Sequence, residues 1–248
     1  MLSLMQQKLN EKIIKEKRTT VYELFIKKSP NINSGRIKEI ANTDLELLFN
    51  LYDSIFLEGE LEKTFQGAFI FSLSKRMTKS AGRILYFRNV HKMKQEEEKI
   101  EIRIGVDFFL QYDLLEGNKK VCGINTRNSL EALQLVFEHE ICHAIEYIYF
   151  KKSSCKGQQF KVIANNLFGH TESYHQLATY KEIASKKLGL NVGDKASFML
   201  QGKKVKGIIY GINKRATVMV KDKAGGFIDK KGHRYAKYYV PLTLLESD

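Results

Sequence analysis

Residues 128–150 read NSLEALQLVFEHEICHAIEYIYF. Asn128, with Glu131 three places on, has the form of a helix capping box. Leu133, Phe137, Ile141 and Ile148 then recur at helical spacing, with Ile145 close to the same face. A helix of about 20 residues that is apolar over so much of its surface must lie in a core. Whatever fold this chain adopts is therefore built around that helix, and it takes His139, Glu140 and His143 inside with it. Two histidines four places apart stand one turn above the other, so both rings turn the same way. Glu140 is offset by one residue. This is the His-Glu-x-x-His spacing, in which two imidazoles grip a zinc ion and the carboxylate serves as base. A catalytic zinc needs three protein ligands and one open position. The ion lowers the pKa of its water to about 7 and polarises a carbonyl, and a carboxylate nearby takes the proton. The chain holds only six histidines, so a pair at this spacing on a capped apolar helix is a specific signal.

The elements around this helix follow from period and punctuation. Residues 1–28 predict a basic helix with Leu2, Met5, Leu9 and Ile13 on one stripe. SPNINSG, residues 29–35, is a break. Residues 43–57 predict an amphipathic helix capped by Thr43 or Asp44, with Leu45, Leu48, Leu51 and Ile55 inward. Residues 67–74, 82–89 and 98–106 are β-branched and aromatic runs and predict strands of a small antiparallel sheet. A second helix is expected over 158–168, stopped by Gly169. Beyond residue 190 the pattern changes to short β-prone runs at 195–200, 204–210, 216–221 and 235–240. Gly, Asn and Lys turns separate them, a spacing that suits a small SH3-like or OB-like barrel.

The charge is uneven. The 248 residues carry 41 Lys and Arg against 28 Asp and Glu. Residues 190–248 alone hold 12 against 5. Lys203, Lys204, Lys206, Lys214, Arg215 and Arg234 crowd that stretch, interleaved with Tyr210, Tyr235, Tyr238 and Tyr239. Basic and aromatic residues together on a small barrel point to nucleic acid, held by phosphate contacts and stacking. A basic barrel that binds protein has the same composition. No run of about 18 apolar residues predicts a membrane span. The N-terminus has no apolar leader with a cleavage site. Three cysteines without a CxxC pair suit a reducing cytoplasm rather than a disulfide framework.

Taken together, these motifs resemble the SprT-like zinc metalloprotease family, related to the Spartan proteases. The likeness is carried by LELLFNLYDSIF, FSLSKRMTKSAGRILY, IEIRIGVDFF, LVFEHEICHAIEY and GQQFKVIANNLFGHT, over about residues 43–180. It implies an α+β chain with a zincin-like domain over 36–189, holding the small sheet and the HExxH helix. A basic helix and linker over 1–35 precede it and the barrel over 190–248 follows. It implies hydrolysis of a protein substrate, with His139 and His143 as zinc ligands and Glu140 as base. A substrate associated with nucleic acid fits the family and the basic module. Members usually carry a third histidine in an HGxxF segment, where this chain has Lys156-Gly157-Gln158-Gln159-Phe160. A protonated lysine cannot ligate zinc. Cys155, next to that slot, and His170, beyond the second helix, are the leading substitutes, with Glu172 and His175 behind them. A chain that had lost its metal would instead be a nucleic-acid-binding or adaptor protein on the same scaffold. Cys142 reads as a core thiol, Glu138 and Glu146 as part of a solvated face or else as partners that orient a histidine, and His91 and His233 as surface residues.

Overall fold

The computed structural model describes residues 4, 7–87, 94–117 and 119–247. By contacts the chain divides into two compact units, Met1–Leu177 and Ala178–Asp248.

In the first unit, helix α1 spans Glu11–Lys28. It starts there because Asn10 Oδ1 accepts from the Ile13 N–H at 2.9 Å, closing the first turn. The expected stripe is corrected accordingly. Leu2 and Met5 lie outside the described residues, Leu9 precedes the helix and Ile13 is exposed. The buried face is Ile14, Val21 and Phe25. Helix α2 spans Asn42–Phe56 with Ala41 at its cap. Neither Thr43 nor Asp44 is the cap residue. Asp44 sits at the third position and its Oδ2 accepts from the Ala41 N–H at 2.7 Å. A short α3, Glu60–Thr64, follows.

Strands β1 (Ala68–Ser74), β2 (Gly82–Tyr86) and β3 (Lys99–Gly105) form a sheet in the order β1-β3-β2. The sheet is mixed, not antiparallel as expected: β1 runs parallel to β3 and β2 antiparallel to it. The reason is apolar content. Ile100, Ile102 and Ile104 of β3 are wholly buried, so the last strand in sequence takes the centre. The final two positions of the strand expected over 82–89 lie outside the described residues, as does His91. After α4 (Asp107–Leu110) come β4 (Lys119–Val121) and β5 (Ile124–Thr126), a small hairpin.

Helix α5 spans Ser129–Phe150, and Asn128 Oδ1 accepts from the Glu131 N–H at 2.9 Å. Glu131 reaches back to the Arg127 N–H rather than to Asn128. Lys151, at φ 53°, ends the helix in a left-handed turn. Helix α6 spans Gln158–Phe168 and stops at Gly169, φ 66°. There the N–H groups of Gly169 and His170 close on Asn165 and Ala164. Phe137, Ile141 and Ile145 of α5, Leu48 and Tyr52 of α2, and Leu167 and Phe168 of α6 share one core with Ile102 and Ile104.

In the second unit, α7 (Tyr180–Leu188) is followed by β6 (Lys195–Leu200), β7 (Lys203–Ile212), β8 (Arg215–Lys221), β9 (Phe227–Ile228), β10 (Arg234–Pro241) and β11 (Glu246–Ser247). They form one antiparallel sheet in the order β11-β6-β7-β8-β10-β9. The expected barrel is corrected: among the described residues this sheet is not closed. Its two edge strands have two residues each, too few to carry a closing ladder. Cover for the apolar face comes instead from Ala184 of α7 and Leu190, packed with Phe198, Ile209, Val218 and Val240. Among the described residues no helix is long and apolar enough to cross a membrane.

Candidate metal centre

A cleft of about 740 Å³ opens between β2 and α5 in the first unit, lined by Gly82–Tyr86, Cys122, His139, Glu140, His143, Cys155 and His175. His139 and His143 point into it one turn apart, with their Nε2 atoms 3.2 Å from each other. Cys155 lies in the turn between α5 and α6. Its Sγ and the two imidazoles place one donor atom each within 4.8 Å of one another. Among the described residues this is the single group of three such donors. Phe160 of α6 packs on both rings, with centroids 4.7 Å from His139 and 4.3 Å from His143. Burial pushes the pKa of His143 down to about 4. It pushes His139 further down, with the neighbouring His143, His170 and His175 adding to the effect. Both rings are neutral at pH 7, the state that ligates a metal.

Glu140 is 3% exposed. Burial raises its pKa to about 8, against the opposing pull of Arg83 and the Ile84 N–H. Its Oε2 is buried with no hydrogen-bond partner. The strand β2 passes so close that a Cβ at Gly82 would strike the Glu140 carboxylate. Glycine at position 82 thus makes room for the carboxyl group at the cleft wall.

The two histidine nitrogens are spaced for a tetrahedral zinc. Two nitrogens at about 2.05 Å from such an ion stand about 3.3 Å apart, close to the 3.2 Å found. Two neutral imidazoles and a thiol suit a borderline-soft cation. The neighbouring orphaned carboxylate oxygen is a group that a bound water or substrate would satisfy.

The other candidates are not part of the donor cluster. His170 is not brought to the pair. Its Nε2 is 2.8 Å from Glu138 Oε2, and the ring is buried. Glu138 also accepts from Arg18 Nε and Nη2, each at 2.7 Å, and from the Tyr52 hydroxyl at 2.8 Å. Burial opposes ionisation of Glu138, but Arg18 and His170 outweigh it and hold the carboxyl well below its ordinary range. Burial lowers the His170 pKa and Glu138 pulls against it. His175 Nε2 accepts from the Ala81 N–H at 3.1 Å. Glu172 Oε2 is buried without a hydrogen-bond partner, outside the donor cluster. Lys156 is exposed.

Glu138 and Glu146 are both buried, so the expected solvated face is wrong for both. Their partners Arg18 and Ser153 come from other elements, and spacing along α5 alone could not reveal them. Glu146 does stand three places after His143, which was a legible hint. Cys142 is a buried core thiol, and His233 is exposed beside Asp229. Cys122, which sequence reasoning passed over, adopts φ 53° and sets its Sγ 3.8 Å from His139 Nδ1. All three cysteines are free.

In the second unit Lys203, Lys204, Lys206, Lys214, Arg215 and Arg234 are all exposed. Lys204 pairs with Glu246 at 2.5 Å, and Arg234 Nη1 donates to the Gly225 carbonyl at 3.2 Å. Tyr210 and Tyr239 are also exposed, whereas Tyr235 and Tyr238 are partly buried.

The profile of the SprT-like family matches residues 45–181, more than half of the chain, and takes in the whole donor cluster. No curated protein and no solved structure matches the chain.

Proposed function

This chain belongs to the SprT-like family, and from that premise we propose that it is a zinc-dependent metallopeptidase. The observation that carries the reading is the donor cluster itself. His139, His143 and Cys155 converge within 4.8 Å, beside a buried glutamate with one unpartnered oxygen. His139 and His143 would hold the ion through Nε2 and Cys155 through Sγ. Cys155 thereby takes the place that a histidine fills at the Lys156 position in other members. Bound there, zinc supplies a Lewis acid and lowers the pKa of a water molecule.

The remaining chemistry belongs to the chain. Ionised beside a bound cation, whose charge lowers a carboxyl pKa, Glu140 would take the proton of the attacking water on Oε2 and pass it to the leaving amine. The Gly82 opening lets that carboxyl group stand against β2. Strand β2 is at the edge of its sheet, and its residues line the cleft. An extended peptide laid along that edge finds backbone donors and acceptors in register. Phe160 holds both imidazole rings in place and keeps water off their faces.

The substrate class we propose is protein associated with nucleic acid, in the cytoplasm. Support comes from the excess of Lys and Arg in the second unit and from its exposed Tyr210 and Tyr239. Phosphate contacts by such residues are strong at low salt and indifferent to sequence. The test of the peptidase reading is Glu140→Gln assayed on an unfolded protein substrate. The variant should keep its metal and lose hydrolysis by at least about 100-fold, the usual contribution of a general base. Full activity in Glu140→Gln rejects the mechanism.

A further inference from the structure

The turn that follows α5 is tied back to the helix by one buried carboxylate. Glu146 is 4% exposed and stands one turn beyond His143. Its Oε2 accepts from the Ser153 hydroxyl at 2.6 Å and from the Ser154 N–H at 2.7 Å. Ser153 Oγ is in turn 2.6 Å from His143 Nδ1. The direction of the protons follows from these contacts. A hydroxyl has one proton, and Ser153 gives it to Glu146, so towards His143 it offers only lone pairs. His143 Nδ1 must then carry the imidazole proton, which leaves Nε2 bare. Nε2 is the atom that faces His139 across 3.2 Å.

The second bond fixes the backbone. Ser154 N–H on Glu146, with Gly157 N–H on the Ser154 carbonyl at 2.8 Å, pins both ends of the segment that holds Cys155 and Lys156. In that turn Cys155 faces the imidazoles and Lys156 faces solvent.

We propose that Glu146 is the positioning residue of the cluster. Through Ser153 it selects the His143 tautomer with a bare Nε2. Through Ser154 it turns Cys155, and not the residue in the usual histidine slot, towards the two imidazoles. The inference rests on the metallopeptidase reading only in taking the cluster as a metal site. It accounts for a lysine at position 156: the geometry of this turn asks nothing of that side chain.

Two measurements test it on the full chain. The first is ¹⁵N NMR of the His143 ring in metal-free protein. The expected result is an Nδ1–H tautomer in the wild type that is lost in Ser153→Ala and in Glu146→Leu. An Nε2–H tautomer in the wild type, or no change in either variant, overturns the proposal. The second is a cobalt(II) titration followed by the thiolate-to-cobalt charge-transfer band, with Cys155→Ser as the control that lacks it. Glu146→Leu and Ser153→Ala should need about 10–100-fold more cobalt than the wild type, as is usual when the partner of a ligand is removed. Glu146→Leu should also weaken the thiolate band. Glu146→Gln keeps an oxygen that accepts both bonds and should stay within a few-fold of wild type. Equal affinity and an equal band in all variants overturns the proposal. A wild type that takes up no cobalt overturns the metal reading instead, while the ring tautomer still decides the role of Glu146. Ser153→Ala removes a single oxygen and serves if Glu146→Leu does not fold.

Discussion

Arg18→Met should be strongly destabilising. Glu138 lies in the core with its side chain wholly buried, and four donor atoms hold it. Two of the four, and the one permanent cation among them, come from Arg18. Removing one partner of a buried ion pair costs about 3–5 kcal/mol, since the remaining charge keeps its desolvation penalty. The Phe168 carbonyl, which accepts from Arg18 Nη2 at 2.7 Å, also loses its donor, worth about 1 kcal/mol. His170 can take up a proton beside Glu138 and recover part of the loss, so we expect about 3–4 kcal/mol overall. Urea unfolding followed by far-ultraviolet circular dichroism reports on this unit, which holds α1, α2, α5 and α6. With a slope of about 2 kcal/mol per M, the midpoint should fall by about 1.5–2 M. Tyr52→Phe removes one hydrogen bond to the same carboxylate and should cost less, about 1.5–3 kcal/mol. In Arg18→Met combined with Glu138→Leu no charge is left stranded, so the pair should be more stable than Arg18→Met alone. A loss below about 1 kcal/mol in Arg18→Met, or a double variant as unstable as the sum of its parts, would refute the reasoning.

The same carboxylate makes stability depend on acid. Its folded pKa is lowered from the ordinary 4.5, so its contribution is complete above pH 4.5 and disappears as the pH falls below that value. Wild type should therefore lose stability more steeply below pH 4.5 than Glu138→Gln, and parallel acid profiles would contradict this. In the second unit, replacing Lys203, Arg215 and Arg234 together by alanine should weaken binding to duplex DNA. The slope of log K against log salt should shrink by up to about 2.7, at about 0.9 for each phosphate no longer neutralised. An unchanged slope would remove these residues from any nucleic-acid surface.

How much of this could be read from the residues alone differs from element to element. Helix α5 was legible because its cap, its period and its metal-ligand spacing are all local. So were the stops at Gly169 and the turns between β6, β7 and β8. The start of α1 does not follow from apolar period, because the Asn10 cap sets it. Strand order was not legible, since β3 takes the central place through burial of three isoleucines against elements far along the chain. The barrel failed for a related reason: closure depends on edge strands too short to show as runs. That His139 and His143 turn the same way beside Glu140 followed from spacing. The choice between Cys155 and His170 did not. His170 is claimed by Glu138, whose charge is set by Arg18, 120 residues earlier in the chain. Cys155 is presented by a turn that depends on Glu146. Both outcomes are decided by side-chain partners, to which period and propensity are blind.

The central claim is that His139, His143 and Cys155 hold one zinc. Elemental analysis of zinc per chain, on protein purified without added metal, tests it most directly. The expected result is about one zinc per chain in the wild type and in His170→Ala, and little in His143→Ala and Cys155→Ser. No zinc in the wild type, or full zinc in Cys155→Ser with loss in His170→Ala, would contradict it.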